Sequence, residues 1–149
     1  MNGKMILSAC TLALSTIGAF AQDIPQSQVP AVVVNSFQQK FPKAKGIDWE
    51  LKAGLYEAEF ETGLFGTDHE VWIQSNGKIV RHKEEFAKND LPKAVIAKVK
   101  KDFPGYRIED VKRITEEQKI TYAFEVKSQT DEWKLVVDTQ GNVLGKIRD

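Results

Sequence analysis

The chain has 149 residues, of which 42% are hydrophobic and 28% are charged, and its 21 basic residues balance its 21 acidic residues. This hydrophobic fraction excludes an intrinsically disordered chain, and the length suits one compact domain or two small halves with a shared core. A formal net charge of zero argues against nucleic acid as the main partner, because phosphate binding needs a concentrated excess of Lys and Arg. The composition therefore indicates a folded protein whose partner is not nucleic acid.

The first 21 residues have the pattern of a secretory signal peptide. Lys4 lies in a short charged start, an apolar stretch begins at Met5, and the segment ends in Ala19-Phe20-Ala21. A small-x-small ending is typical of a cleavage site, and the stretch is too short and too rich in Ser and Thr for a transmembrane anchor. We therefore expect cleavage after Ala21 and a periplasmic or secreted mature chain.

The segment Leu7-Ser8-Ala9-Cys10 offers an alternative location. It resembles a bacterial lipobox, in which the Cys becomes the lipidated first residue of an anchored lipoprotein. Most of the apolar run follows Cys10, whereas a lipoprotein signal has that run before the Cys, so cleavage after Ala21 is favoured. Because Cys10 is the only cysteine, the expected mature chain has no disulfide, no Cys-bound metal and no catalytic thiol.

Two segments at a constant offset of 62 residues share one helical pattern, residues 29–42 and 91–104. In each segment apolar residues recur at the i, i+4, i+5, i+8 and i+12 positions of a single helical face. A proline comes near the start of each segment, where a missing N–H is tolerated, and a second proline stops the helix. The sequence therefore predicts two amphipathic helices.

After each helix, apolar and polar residues alternate with the period of two that is typical of half-buried strands. The alternation covers residues near 47–51, 56–61, 69–74 and 79–82, and then 106–114, 120–126, 133–137 and 143–144. The sequence thus predicts an α+β fold of two tandem repeats, residues 22–88 and 89–149, that form one compact unit. Each repeat is expected to have one helix packed on a four-stranded antiparallel sheet.

These features resemble a known family. They are the helices that end in Phe41-Pro42 and Phe103-Pro104, the strands 56–60 and 122–126, and the turns at Asn76-Gly77 and Gln140-Gly141. Over about residues 29–147 the chain is similar to the PepSY-like, β-lactamase-inhibitor-like proteins that Bacteroides-type bacteria export. The resemblance implies tandem helix-plus-sheet modules like those of β-lactamase inhibitory proteins, a binding or inhibitory role, and no assigned enzymatic activity. The role is an analogy, because a fold does not fix a function.

Residues that could perform chemistry are few. His69 stands in Asp68-His69-Glu70, which could offer metal ligands, but three consecutive strand residues cannot all point to one side. We therefore expect His69 to lie at a solvated strand end. Phosphate loops, nucleophile elbows and zinc-protease motifs are missing from the sequence, and no Ser has a His near it in the chain. The sequence predicts no catalytic residue, no cofactor and no metal ligands, and the protein is not expected to be an enzyme.

One face of the predicted sheet carries acidic residues and a tryptophan. Glu57 and Glu59 alternate with the apolar residues of their strand and point outward, and Glu70 lies on the neighbouring strand. A solvated face is the ordinary interpretation of such a row, and an acidic patch for a basic partner or a calcium ion is the functional one. Trp72 shares the face of Glu70, so it is either a recognition anchor or a residue covered by the loop Leu64-Phe65-Gly66 or by the other repeat.

The same parity places Lys134 and Val136 on the outward face of the second half. The predicted partner-binding residues are Trp72, Glu57, Glu59, Glu70, Gln74, Lys134 and Val136. The favoured function is a non-catalytic exported binding module, inhibitor-like by resemblance, that engages a protein or peptide through the open face of its sheet. The alternative is an envelope protein that binds a small ligand or a metal ion with the acidic strand row.

Overall fold

The computed structural model describes residues 22–149, which form a single antiparallel sheet of nine strands with two helices on one face. The expected signal peptide and the lipidation alternative at Cys10 lie outside the described residues. The strands are β1 Gln22–Asp23, β2 Lys45–Lys52, β3 Leu55–Thr62, β4 Thr67–Ile73, β5 Ile79–Glu85, β6 Arg107–Glu116, β7 Lys119–Lys127, β8 Glu132–Asp138 and β9 Val143–Arg148. The helices are α1 Ala31–Lys40 and α2 Lys93–Asp102.

The predicted fold class, two repeats with one helix on its own four-stranded sheet, is wrong. The strands follow chain order across one sheet, and β5 pairs with β6 from Arg81↔Glu116 to Glu85↔Lys112. A ninth strand, β1, extends the sheet by pairing Gln22 with Leu51. Alternation indicates where strands lie but not which edges meet, and an unpaired edge is a liability that a neighbouring strand removes. The result is a mostly β protein with two short helices.

Each helix packs on the sheet through the apolar face that the sequence predicts. The first core cluster joins α1 to β2–β4 and contains the buried residues Val29, Val33, Phe37, Trp49, Ala58, Phe60, Val71 and Ile73. Phe37 is its centre, because its ring lies 5.2 Å from that of Trp49 and 4.9 Å from that of Phe60. The second core cluster joins α2 to β6–β8 and contains Leu91, Val95, Val99, Phe103, Val111, Tyr122, Phe124, Val126, Leu135 and Val137.

The two tight turns after β4 and β8 contact the helices. Gly77 has φ +87° and Gly141 has φ +83°, a region in which other residues are strained. A Cβ atom at Gly77 would lie 3.0 Å from the Val32 carbonyl oxygen, and one at Gly141 would lie 2.9 Å from the Lys98 Cβ. Each turn therefore requires its glycine for two reasons, the positive φ and the close approach of the turn to the helix.

The pairing register separates a helix face of the sheet from an open face. Directly opposite residues of antiparallel strands point to the same side, so the chain of pairs Asp48↔Glu59↔Glu70↔Lys83 runs along the open face. The chain of pairs Phe60↔His69↔Glu84↔Arg113 runs along the helix face. Within residues 22–149, neither helix has the length and apolar character that crossing a membrane requires.

Candidate functional site

The predicted acidic row exists on the open face of β2–β4. Glu59 pairs with Asp48 on one side and Glu70 on the other, which sets three carboxylates side by side. Oxygen atoms of Glu57, Glu59 and Glu70 lie within 4.8 Å of one another. Like charges directly opposite in a sheet repel, so nearby positive charges stabilise this arrangement.

Two lysines neutralise part of the row. Lys52 Nζ lies 2.9 Å from carboxylate oxygens of both Glu50 and Glu57, and hydrogen bonds to these two residues raise the pKa of Lys52. Lys83 forms an ion pair with Glu70. Glu57 is only 2% exposed and is not displayed to solvent as the sequence suggests, because Lys52 and the neighbouring strands cover it.

Glu59 is exposed, as is Asp48 opposite it, and Glu59 forms no salt bridge within the described part of the chain. Partial desolvation and then the negative charge of Glu70 raise the pKa of Glu59. Glu59 lines a depression of about 290 Å³ together with Asp48, Glu61, Asp68 and Glu70. Its lining holds five carboxylates and one lysine, Lys112, so the depression is crowded with negative charge.

Trp72 lies on the open face, opposite Glu57 on β3 and Arg81 on β5. It is half-buried, with the Arg81 guanidinium carbon 4.8 Å and the Lys83 Nζ 5.9 Å from the ring centre. Phe65 of the loop that was the alternative cover is fully exposed, so this loop residue does not pack on the ring. The side chains over Trp72, Arg81 and Lys83, belong to β5 of the same half of the chain, a cover that neither the loop nor the other repeat provides.

A groove of about 460 Å³ lies on the open face of β7–β9. Val136, opposite Ala123 and Gly145, forms its floor, and Lys134 lies opposite Ile147, which is 68% exposed. The sequence thus identified two residues of this groove, Lys134 and Val136. Ile147 was not predicted as their neighbour, because it lies beyond the predicted strand 143–144, whereas β9 extends to Arg148.

Gln74 is the one predicted partner-binding residue that does not lie on a strand. It lies beyond the end of β4, in the turn to β5, where its backbone N–H donates to the Lys78 carbonyl oxygen at 2.9 Å. The other predicted residues fall into two groups on the open face. Glu57, Glu59, Glu70 and Trp72 lie on β3 and β4, and Lys134 and Val136 lie on β8.

A second cluster of polar side chains lies on the helix face, and the sequence did not predict it. His69 is 8% exposed and stacks on Phe60 with ring centres 4.9 Å apart. The expectation that His69 is a solvated strand end is wrong, because β3 and β5 flank it in the sheet and Phe41 lies close to its ring. Its Nδ1 atom lies 3.0 Å from Nε2 of His82 and 3.8 Å from Oε2 of Glu84.

Further side chains orient these three. Thr62 Oγ1 lies 2.7 Å from His69 Nε2, and Arg113 Nε donates to Glu84 Oε1 at 2.8 Å. Burial lowers the pKa of both His69 and His82. The only sequence signal for this group is His82-x-Glu84, whose spacing of two puts both side chains on one face of a strand.

Comparison with known proteins identifies the class of this fold. The family model described as "Putative beta-lactamase-inhibitor-like, PepSY-like" matches residues 17–81 and 54–145. The chain belongs to this family, which confirms the resemblance seen in the sequence. None of the curated proteins matches the chain with significance.

Three solved structures from Bacteroides share the fold. A BLIP-like protein from Bacteroides fragilis is 22% identical, with a TM-score of 0.66 over 84% of this chain and 87% of that one. A putative periplasmic protein from Bacteroides eggerthii is 21% identical, with a TM-score of 0.69 over 80% and 88%. A DUF2874 family protein from Bacteroides uniformis is 19% identical, with a TM-score of 0.68 over 80% and 88%. At these identities the similarity shows the fold alone.

Proposed function

We propose that the protein is a non-catalytic, exported binding module that engages a protein or peptide through the open face of its sheet. The partner presents a basic side chain to the acidic depression around Glu59 and an apolar side chain to the groove around Val136. The observation that carries the proposal is the carboxylate crowding at Glu59, on a sheet face that neither helix covers.

The negative charge of the depression determines which chemical group of a partner fits there. Glu59, Asp48 and Asp68 line one depression, and repulsion from Glu70 adds to the raised pKa of Glu59. A guanidinium or ammonium group placed there gains charge-assisted hydrogen bonds and relieves the repulsion at the same time. A complementary charge of this kind contributes to the association rate and to partner selection.

The groove supplies the apolar part of the surface. Val136, Ala123 and Gly145 leave a shallow floor, and the exposed side chain of Ile147 forms one wall. Trp72 adds a half-buried aromatic ring whose cover is two flexible basic side chains, Arg81 and Lys83. Aromatic and aliphatic anchors flanked by charged residues are typical of protein recognition surfaces.

The family description supports a non-catalytic role, and a structural neighbour supports the exported location. Its description is inhibitor-like and names no enzymatic activity. The similar protein from Bacteroides eggerthii is described as periplasmic, which supports the location expected from cleavage after Ala21.

The alternative, a cation bound by the acidic strand row, has less support. Calcium takes about six to eight oxygen ligands. Of the carboxylates that approach one another here, Glu57 already pairs with Lys52 and Glu70 with Lys83. A partner cation at the exposed Glu59 needs no such displacement.

The test is capture from the cell-envelope fraction of the source organism, followed by affinity measurements on the purified partner. Glu59→Lys should weaken binding at least about 10-fold and reduce its salt dependence, because it reverses the charge that meets the partner. Lys100→Glu is the matched control, because it also reverses a charge but lies on the exposed side of α2. Equal binding by wild type and Glu59→Lys, or loss of binding only in Lys100→Glu, would contradict the proposal.

A further inference from the structure

We propose that His69, His82 and Glu84 form a binding site for a divalent transition-metal ion of the zinc class. The site lies on the helix face of the sheet, opposite the proposed partner surface, so it does not depend on the proposed function.

The distances among the ligand atoms fit one ion. Ligand atoms around a tetrahedral zinc ion lie about 3.3–3.6 Å apart, given bond lengths of about 2.0–2.2 Å. His69 Nδ1 lies 3.0 Å from His82 Nε2 and 3.8 Å from Glu84 Oε2, and all three atoms lie within 4.8 Å of one another. The two separations bracket those expected around a tetrahedral ion.

The donors are oriented as metal ligands usually are. When His69 Nε2–H donates to Thr62 Oγ1, the Nδ1 lone pair faces His82 and Glu84. Ligating histidines typically donate their second ring N–H in this manner, and ligating carboxylates are hydrogen-bonded in turn. Arg113 binds Glu84 through Oε1, which leaves Oε2 on the side of His69.

The rings themselves are held in place. His69 stacks on Phe60, the His82 ring lies edge to edge with the His69 ring with centres 5.2 Å apart, and Phe41 packs against His82 at 5.1 Å. A ligand pair that is fixed before binding loses little conformational freedom when the ion arrives.

The ligand set and its surroundings indicate the kind of ion. Two imidazoles and one carboxylate suit zinc, copper, nickel or iron and do not suit calcium or magnesium, which prefer oxygen ligands. Three protein ligands leave a fourth position, which faces a cleft of about 600 Å³. Lys40 and Arg113 line the same cleft, so a water molecule or an anionic group fits as the fourth ligand.

The experiment is calorimetric titration of the chelator-treated full chain with Zn²⁺, together with Co²⁺ absorption spectroscopy. We expect one ion per chain and a tetrahedral Co²⁺ spectrum. His82→Gln should lower the affinity by about 100-fold or more, and Thr62→Val should lower it by about 10-fold through loss of ring orientation. The double variant Glu59→Gln/Glu70→Gln is the matched control and should bind zinc as the wild type does.

The outcomes separate clearly. Wild-type affinity for Zn²⁺ no tighter than millimolar, or undiminished affinity in His82→Gln, overturns the proposal. So does loss of zinc binding in the Glu59→Gln/Glu70→Gln control, because the ion would then sit on the acidic row. If His82→Gln does not fold, imidazole nitrogen NMR of the wild type decides. Zn²⁺ must shift the signals of both His69 and His82, and unchanged signals reject the site.

Discussion

Two hairpins of the sheet, β4–β5 and β8–β9, have the same register but carry different chemistry on the helix face. In the first hairpin His69 is opposite Glu84, and Val71 is opposite His82. In the second hairpin Trp133 is opposite Arg148, and Leu135 is opposite Lys146. The two histidines and the glutamate thus occupy the places that tryptophan, lysine and arginine occupy in the other hairpin.

The second hairpin shows what packing alone requires at these places. Lys146 Nζ lies 4.0 Å from the centre of the Trp133 ring and 4.9 Å from that of Phe103, which are ordinary cation–π contacts. Phe41 lies over His82 as Phe103 lies over Lys146. At the same places β4–β5 carries two facing imidazoles and a carboxylate, which is a set of metal donors instead of a cation–π cluster.

The surroundings of the hairpins differ as well. β5 pairs with β6 in the middle of the sheet, so Arg113 can reach Glu84 from the next strand. β9 is the last strand of the sheet, and all its residues are exposed. The histidine cluster therefore has an orienting shell that the edge hairpin cannot provide.

The largest expected effect comes from the aromatic rings above the two hairpins. Phe41→Ala and Phe103→Ala should each lower the free energy of unfolding by about 3–5 kcal/mol, because each removes a ring packed between helix and sheet. Chemical denaturation measures both. If one variant kept its stability and the other unfolded, Phe41 and Phe103 would not be structurally equivalent.

The next prediction compares a tryptophan on the helix face of the sheet with one on the open face. Trp49 is 4% exposed in the first core cluster, so Trp49→Ala should cost about 3–5 kcal/mol. Trp72→Ala should cost about 1 kcal/mol or less and weaken partner binding by about 2 kcal/mol or more. Equal destabilisation by the two substitutions would place Trp72 in the core and remove the aromatic anchor from the proposed surface.

The sequence predicted the local structure well because local structure depends on periodicity. The helical face of residues 29–42 matches α1 and its buried Val33 and Phe37, and the alternation near 120–126 matches β7. What alternation could not supply was the β5–β6 pairing, and the fold class was wrong for that reason.

The same limit explains the sites. Parity placed Glu59 and Glu70 on the open face, but the burial of Glu57 depends on Lys52, a residue of another strand. The histidine cluster was missed because His69 and His82 are 13 residues apart and meet only through the register of β4 with β5. Contacts that arise from strand pairing are not encoded in the period of either strand.

A smaller effect sharpens the contrast between the hairpins. Lys146→Ala removes the contacts of the ammonium group with Trp133 and Phe103 and should lower the free energy of unfolding by about 0.5–1 kcal/mol. Thermal melting measures this change, and calorimetry should show zinc affinity unchanged. A loss of zinc binding in Lys146→Ala would mean that the ion binds at the second hairpin.

The smallest expected effect is the contribution of Glu59 to the pH dependence of stability. Its folded pKa is raised above the ordinary value of 4.5, so protonated Glu59 contributes stability that is lost as the pH rises through the folded pKa. Glu59→Gln should therefore be more stable than wild type at pH 7, by less than about 0.5 kcal/mol. The difference should vanish below the unfolded pKa, where both proteins are neutral at this position. A variant that is less stable than wild type at pH 7 would contradict the crowding of carboxylates.

The most direct test of the contrast between the two hairpins is an anomalous-difference map, recorded at the zinc absorption edge from crystals grown with Zn²⁺. We expect a peak bounded by His69 Nδ1, His82 Nε2 and Glu84 Oε2 and none beside Trp133. A map with its peak at the acidic row of Glu57, Glu59 and Glu70, or with no peak at the histidines, would contradict it.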